Sequence, residues 1–164
     1  MEDEKHKHFI RLPVKGFPEQ AEADPKVLCT AVEVETVLKD LTSAVDTNSY
    51  FPATPTVENP ALSDDYIFDT EDEKQILKDL EQEHFVGKVM DLGKGAVRRR
   101  KQGLPQEYLY IFQYPCRLYR RDAQESKILT EDILIYIKIN NRKNPDKQVF
   151  IISFHKNRPR KKTN

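Results

Sequence analysis

The sequence predicts an α+β protein: a small antiparallel sheet of three to four strands over about 107–155, one or two helices, and a largely flexible acidic region ahead of them. Period-two runs of aromatic and β-branched residues fall almost entirely in the second half, whereas the helical patterns fall in the first. The charge divides at nearly the same place. Residues 1–83 carry 20 acidic against 8 basic side chains, a net of −12, and residues 84–164 carry 7 against 19, a net of +12. Sign asymmetry of this kind points to a charged macromolecular partner.

Residues 1–24 hold charges, Pro13 and Pro18 with little periodicity, and read as a flexible lead. Asp24-Pro25 reads as a helix start, an N-cap followed by proline where a missing N–H costs nothing. Val27, Ala31, Val34, Leu38, Leu41 and Val45 then place one apolar stripe along an amphipathic helix over 25–46. That stripe must bury itself against the C-terminal domain or against a partner.

Residues 47–69 read as a Pro-rich acidic linker, with Pro52, Pro55 and Pro60 among threonine, asparagine and serine. Near its end Tyr66-Ile67-Phe68 forms an apolar triplet framed by Asp64, Asp65 and Asp69. The triplet is either a segment that orders on a partner or a staple onto the next helix. Thr70-Glu71-Asp72-Glu73 reads as a capping box opening a helix over about 70–84, with Ile76, Leu77 and Leu80 on its apolar face.

Residues 87–103 hold four of the five glycines and the run Arg98-Arg99-Arg100-Lys101, which reads as a mobile basic surface stretch. Tyr108, Tyr110, Phe112 and Tyr114 then alternate with Leu109 and Ile111, and Pro115 suggests a bulge or an edge. Ile133, Ile135, Ile137 and Ile139 repeat at period two, as does Gln148–His155, with a polar loop over 140–147 between them. Helix, loop and strands make one domain over 70–155, followed by a basic tail over 156–164.

Catalytic signatures are thin, and the expected protein is not an enzyme. Gly93-Lys94-Gly95 lacks P-loop spacing and the Ser/Thr that would meet magnesium. His6-Lys7-His8 reads as solvated sequence, Cys116 as a small strand residue, and no metal, cofactor or small-molecule substrate is expected. Cys29 and Cys116 do not make a disulfide framework, no apolar core follows the charged start, and no stretch is apolar enough to span a membrane. A reducing compartment is expected.

The basic half carries the functional expectation. Arg98, Arg99, Arg100, Lys101, Arg120, Arg121, Arg142 and Lys143 are candidates for contact with an anion or a nucleic acid. Lys156, Arg158, Arg160, Lys161 and Lys162 resemble the exposed basic runs that nuclear import receptors read. Val34, Leu38, Leu41, Tyr66, Ile67 and Phe68 are candidates for docking a protein partner, and Thr54 and Thr70 for phosphorylation. The sequence therefore reads as a non-enzymatic adaptor or subunit of a larger nuclear assembly, with a basic β-rich module and an acidic docking arm. Two alternatives stand beside it: a nucleic-acid-binding module using basic loops and a tyrosine-rich sheet, and a cytoplasmic cytoskeletal adaptor. A further expectation is that the acidic arm masks the basic domain until a partner competes.

Overall fold

A computed structural model describes residues 8–15, 27–121, 129–142 and 148–157. Among these residues the fold is α+β, an antiparallel sheet of five strands with four α-helices. In chain order these are β1 (Phe9–Arg11), α1 (Ala31–Asp46), α2 (Leu62–Asp65), α3 (Thr70–Asp79), β2 (Phe85–Met90), α4 (Lys94–Lys101), β3 (Tyr108–Tyr119), β4 (Thr130–Arg142) and β5 (Gln148–Lys156).

The long strand β3 organises the sheet. One side pairs with β4 from Tyr110 opposite Ile139 to Tyr119 opposite Thr130. The other side is shared: β2 pairs with Tyr108–Phe112, and β1 with Cys116–Leu118. Pro115 sits between these two partners. Its carbonyl accepts from the Leu12 N–H at 3.0 Å, so its missing donor faces the same seam. No rung to β4 is lost, and Pro115 lies opposite Leu134 in continuous register. The proline thus marks a change of neighbour on one edge, not a bulge in the β3–β4 ladder. The irregularities fall elsewhere, between Phe85 and Gly87 and where β5 meets Lys138 and Ile139.

Period-two burial follows from this geometry. Phe112, Tyr114, Cys116 and Leu118 of β3, with Ile133, Ile135, Ile137 and Ile139 of β4, form the floor of the core. Helices α1 and α3 cover it with Val34, Val37, Leu41, Ala44, Val45, Ile76 and Leu77. The tyrosine row therefore faces inward. Tyr114 and Phe112 are fully buried, and the Tyr110 hydroxyl donates to Glu33 at 2.6 Å.

Several expectations change. Within the lead, Phe9–Arg11 is a strand; residues 1–7 and 16–26 lie outside the described residues. Helix α1 begins at Ala31 under a Thr30 cap whose side chain accepts from the Glu33 N–H, not at Asp24-Pro25. Val27 instead bridges to Lys88. The buried stripe takes in Val37 and Ala44, leaves Ala31 exposed and leaves Leu38 half-buried. Helix α1 closes with Asn48 at positive φ, and Asn48 and Ser49 N–H groups bond back to Val45 and Ala44, which satisfies its last carbonyls.

Segment 47–69 is not a plain linker, because it buries Tyr50, Leu62, Tyr66 and Phe68 and contains α2. Helix α3 is capped by Asp69 with Asp72, not by Thr70 with Glu73, and it stops at Asp79. The glycine-rich stretch 87–103 is largely regular, holding most of β2 and all of α4. After Lys101 and its cap Gln102, helix α4 is closed by Gly103, whose φ of +98° favours glycine, and the Gly103 and Leu104 N–H groups bond to Arg100 and Arg99 carbonyls.

Candidate docking surface

Helix α4 carries the densest positive charge among the described residues. Ala96 is its buried anchor. Arg99 turns inward to Glu107, donating from Nε and also from Nη2 to Oε1 at 2.9 Å. Glu107 in turn accepts from the buried Asn140 amide at 2.9 Å, and Asn140 also donates to Asp91 at 2.8 Å. The Arg99 bond first, and then Asn140, hold the Glu107 carboxyl below the usual carboxylate range. Gly95 makes room for this arrangement, since a Cβ there would stand 3.2 Å from the Arg99 guanidinium.

With Arg99 fixed, the remaining cations point out. Lys94, Arg98 and Lys101 follow spacings of four and three, which puts them on one helix face. Arg100 projects about 100° further round the helix from Lys101. All four are exposed, and their side chains have no hydrogen-bond or ion-pair partner among the described residues. Arg142 lies at the same end of the sheet, near Glu107. Its guanidinium sits 4.3 Å over the Phe150 ring and donates to Gln148 at 2.7 Å.

The other predicted basic residues lie apart. Arg120 reaches Glu131 at 3.4 Å, and Arg121 donates from Nε to the Ser63 carbonyl at 2.5 Å. They sit at the far end of β3, a strand about 36 Å long at ~3.3 Å per residue, so they do not join α4 in one patch. Lys143, Arg158, Arg160, Lys161 and Lys162 lie outside the described residues. Lys156 ends β5 and donates to Glu131 at 2.7 Å, so it is part of the folded sheet and not of a free tail.

Of the predicted docking residues, Val34, Leu41, Tyr66 and Phe68 are buried in the chain's own core and do not present a face to a partner. Ile67 is exposed, and Leu38 lines a surface groove with Leu80 between α1 and the turn after α3. Thr54 is exposed in the loop beside β5, and Thr70 is exposed as the first residue of α3.

Two clusters had no local signal. The His8 ring and its N–H both meet the buried carboxylate of Asp72, at 2.7 and 3.0 Å, with Asp69 alongside. These three residues offer donor atoms within 4.8 Å of one another. Asp72 also accepts from the Asp69 N–H, so its oxygens serve the helix cap and the attachment of β1. Arg11 likewise ties β1 to Asp79, Glu81 and Glu83. The chain matches no family model, no curated protein and no solved structure.

Proposed function

We propose that the protein is a non-enzymatic adaptor or subunit of a larger nuclear assembly, docking an acidic protein surface on the cation row of α4. The contrast within that helix carries the reading. Arg99 is occupied by Glu107 and fixes the helix, while Lys94, Arg98, Arg100 and Lys101 project without partners among the described residues. A fixed helix spares the partner the cost of ordering the backbone, so only the side-chain rotamers of the cations remain to be fixed on binding.

Binding is favoured over catalysis by the structural work of the reactive side chains. Burial pushes the Cys116 thiol up to about 12, which removes its thiolate. The buried His84 ring packs 5.0 Å from Tyr114 and accepts from the Glu81 N–H. The nuclear reading is supported by the basic residues over 158–162, which follow the sheet-bound Lys156.

A nucleic-acid partner would use the same cations without a stacking platform, because Phe112 and Tyr114 are buried under the helices. Replacing Lys94, Arg98, Arg100 and Lys101 together by glutamine should abolish stoichiometric, nuclease-resistant co-purification of protein partners. A mobility shift whose log affinity falls with log salt by about 0.9 per contact would instead assign the row to duplex phosphates.

A further inference from the structure

The outer edge of β5 changes character halfway along. Phe51 pairs with its first half: the Phe51 N–H donates to the Val149 carbonyl at 2.9 Å, and its carbonyl accepts from Ile151 at 2.8 Å. Val149 and Ile151 thus face away from β4. At the other end the Asn157 N–H donates to Leu134 of β4 at 2.7 Å, so residues 153, 155 and 157 face inward. The bulge opposite Lys138 and Ile139 produces this change of phase. It turns the N–H and C=O of Phe154, and the N–H of Lys156, toward the outer edge, where the described residues offer them no backbone partner.

The segment after Phe51 does not continue the pairing. It passes through Pro52 and Pro55, which have no N–H to donate, and separates from the strand. A cleft of about 400 Å³ opens between residues 53–63 and residues 152–155. Its apolar wall includes Leu62, Phe68 and Phe154, and its acidic pole is formed by Glu73 with Asp69. The Glu73 carboxylate accepts from the Tyr50 hydroxyl at 2.8 Å. The lining holds Glu73 and Asp69 and no lysine or arginine among the described residues, so the site favours an incoming positive charge.

We propose that this cleft binds an extended peptide as an added strand on the outer edge of β5 at Phe154, with a lysine or arginine side chain of the peptide directed to Glu73. The backbone edge requires an extended chain with free N–H and C=O groups. The acidic pole selects the cation, and the wall of Leu62 and Phe68 receives an apolar side chain. The site is separate from the α4 row and does not depend on it.

The test is a titration of the full-length isotope-labelled chain with terminally blocked Thr-Val-Arg-Val-Thr, followed by amide NMR. Three controls accompany it: the same peptide with glutamine at the centre, the arginine peptide N-methylated along its backbone, and a Glu73→Gln variant. The expected result is a set of amide shifts centred on Ala53, Thr54, Phe154 and His155. Affinity should fall about tenfold for the glutamine peptide or for Glu73→Gln, and shifts should be lost with the N-methylated peptide. Absence of shifts at millimolar peptide, or equal binding by the N-methylated form, overturns strand addition. Equal affinity of the arginine and glutamine peptides overturns the role of Glu73. Self-association that the peptide abolishes would assign the edge to a second copy and overturn the proposal.

Discussion

Tyr114 donates its hydroxyl to Asp79 at 2.6 Å, joining the centre of β3 to the last residue of α3. Arg11 of β1 reaches the same carboxylate oxygen at 3.1 Å. A strand from the start of the chain, a helix from its middle and the central strand therefore meet at one carboxylate. Tyr114 is fully buried, and burial with the Asp79 bond drives its hydroxyl far above the ordinary phenol value. Tyr114→Phe keeps the ring and removes the donor. It should cost about 1–2 kcal/mol, the range for a hydrogen bond to a partly solvated charge, read as a lower denaturant midpoint at unchanged slope. An unchanged midpoint would mean that Arg11 alone satisfies Asp79.

Helix α1 provides a sharper comparison. Leu41 is fully buried on the face toward the sheet, and Val32 is 77% exposed on the same helix. Leu41→Ala should cost about 2–5 kcal/mol through lost burial and the cavity left behind. Val32→Ala should stay within about 0.5 kcal/mol. A detached docking arm would tolerate both changes equally in thermal unfolding. For the same reason, deleting residues 1–69 should expose the sheet floor and unfold the chain, not release a masked basic domain.

What the sequence made legible follows the range of the forces involved. The isoleucine alternation in β4 and the β5 pattern are properties of neighbouring residues, so both strands were readable, as was the existence of a helix at Thr70. Strand β1 has three residues, and its attachment depends on Arg11 and His8 meeting acids more than sixty positions away. Strand β2 contains Gly87 and owes its conformation to β3. The α4 cations were visible as a run, but separating Arg99 from its neighbours required Glu107 and Asn140. Arginine, lysine and alanine favour helix, and that local signal was outweighed by the surrounding glycines. The β5 cleft had no sequence signal, because it arises from a bulge and a proline-containing segment brought together by folding.

His84 sets a pH dependence. Its Nδ1 accepts from the Glu81 N–H at 2.9 Å, which places the proton of the neutral ring on the buried Nε2. Burial first, and Arg11 second, hold its pKa below the ordinary imidazole value of 6.5, against the opposing pull of Glu83, Asp79 and Glu81. The unfolded chain takes up a proton near that value while the folded chain does not. The stabilisation is therefore complete above 6.5 and declines as the pH falls toward the lower folded value. Glu107, Glu33 and Glu131, held below the usual carboxylate range, lose their contributions in a more acidic window. Denaturation midpoints measured across these windows should decline in two steps, and His84→Gln should remove the first. A first step that survives in the variant would place its origin outside His84.

The α4 arginines separate fold from docking. Glu107 has a side chain only 9% exposed, and Arg99 is its principal counter-charge, so Arg99→Gln leaves that carboxylate to Asn140 and weakens the junction of α4 with β3. The cost should be about 1–3 kcal/mol, that of an underpaired, partly buried charge. Replacing Lys94, Arg98, Arg100 and Lys101 by glutamine removes no internal bond among the described residues, and glutamine matches lysine and arginine in helix propensity. The remaining loss is the favourable field of the last-turn cations, about 0.3–1 kcal/mol each at low salt and less when screened. Chemical denaturation at physiological salt should thus rank Arg99→Gln as the more damaging change, while partner capture should fail in the quadruple variant and persist, weakened by partial unfolding, in the single one. A quadruple variant that unfolds more readily than Arg99→Gln would make the row a structural element of the helix and remove the ground for assigning it to a partner.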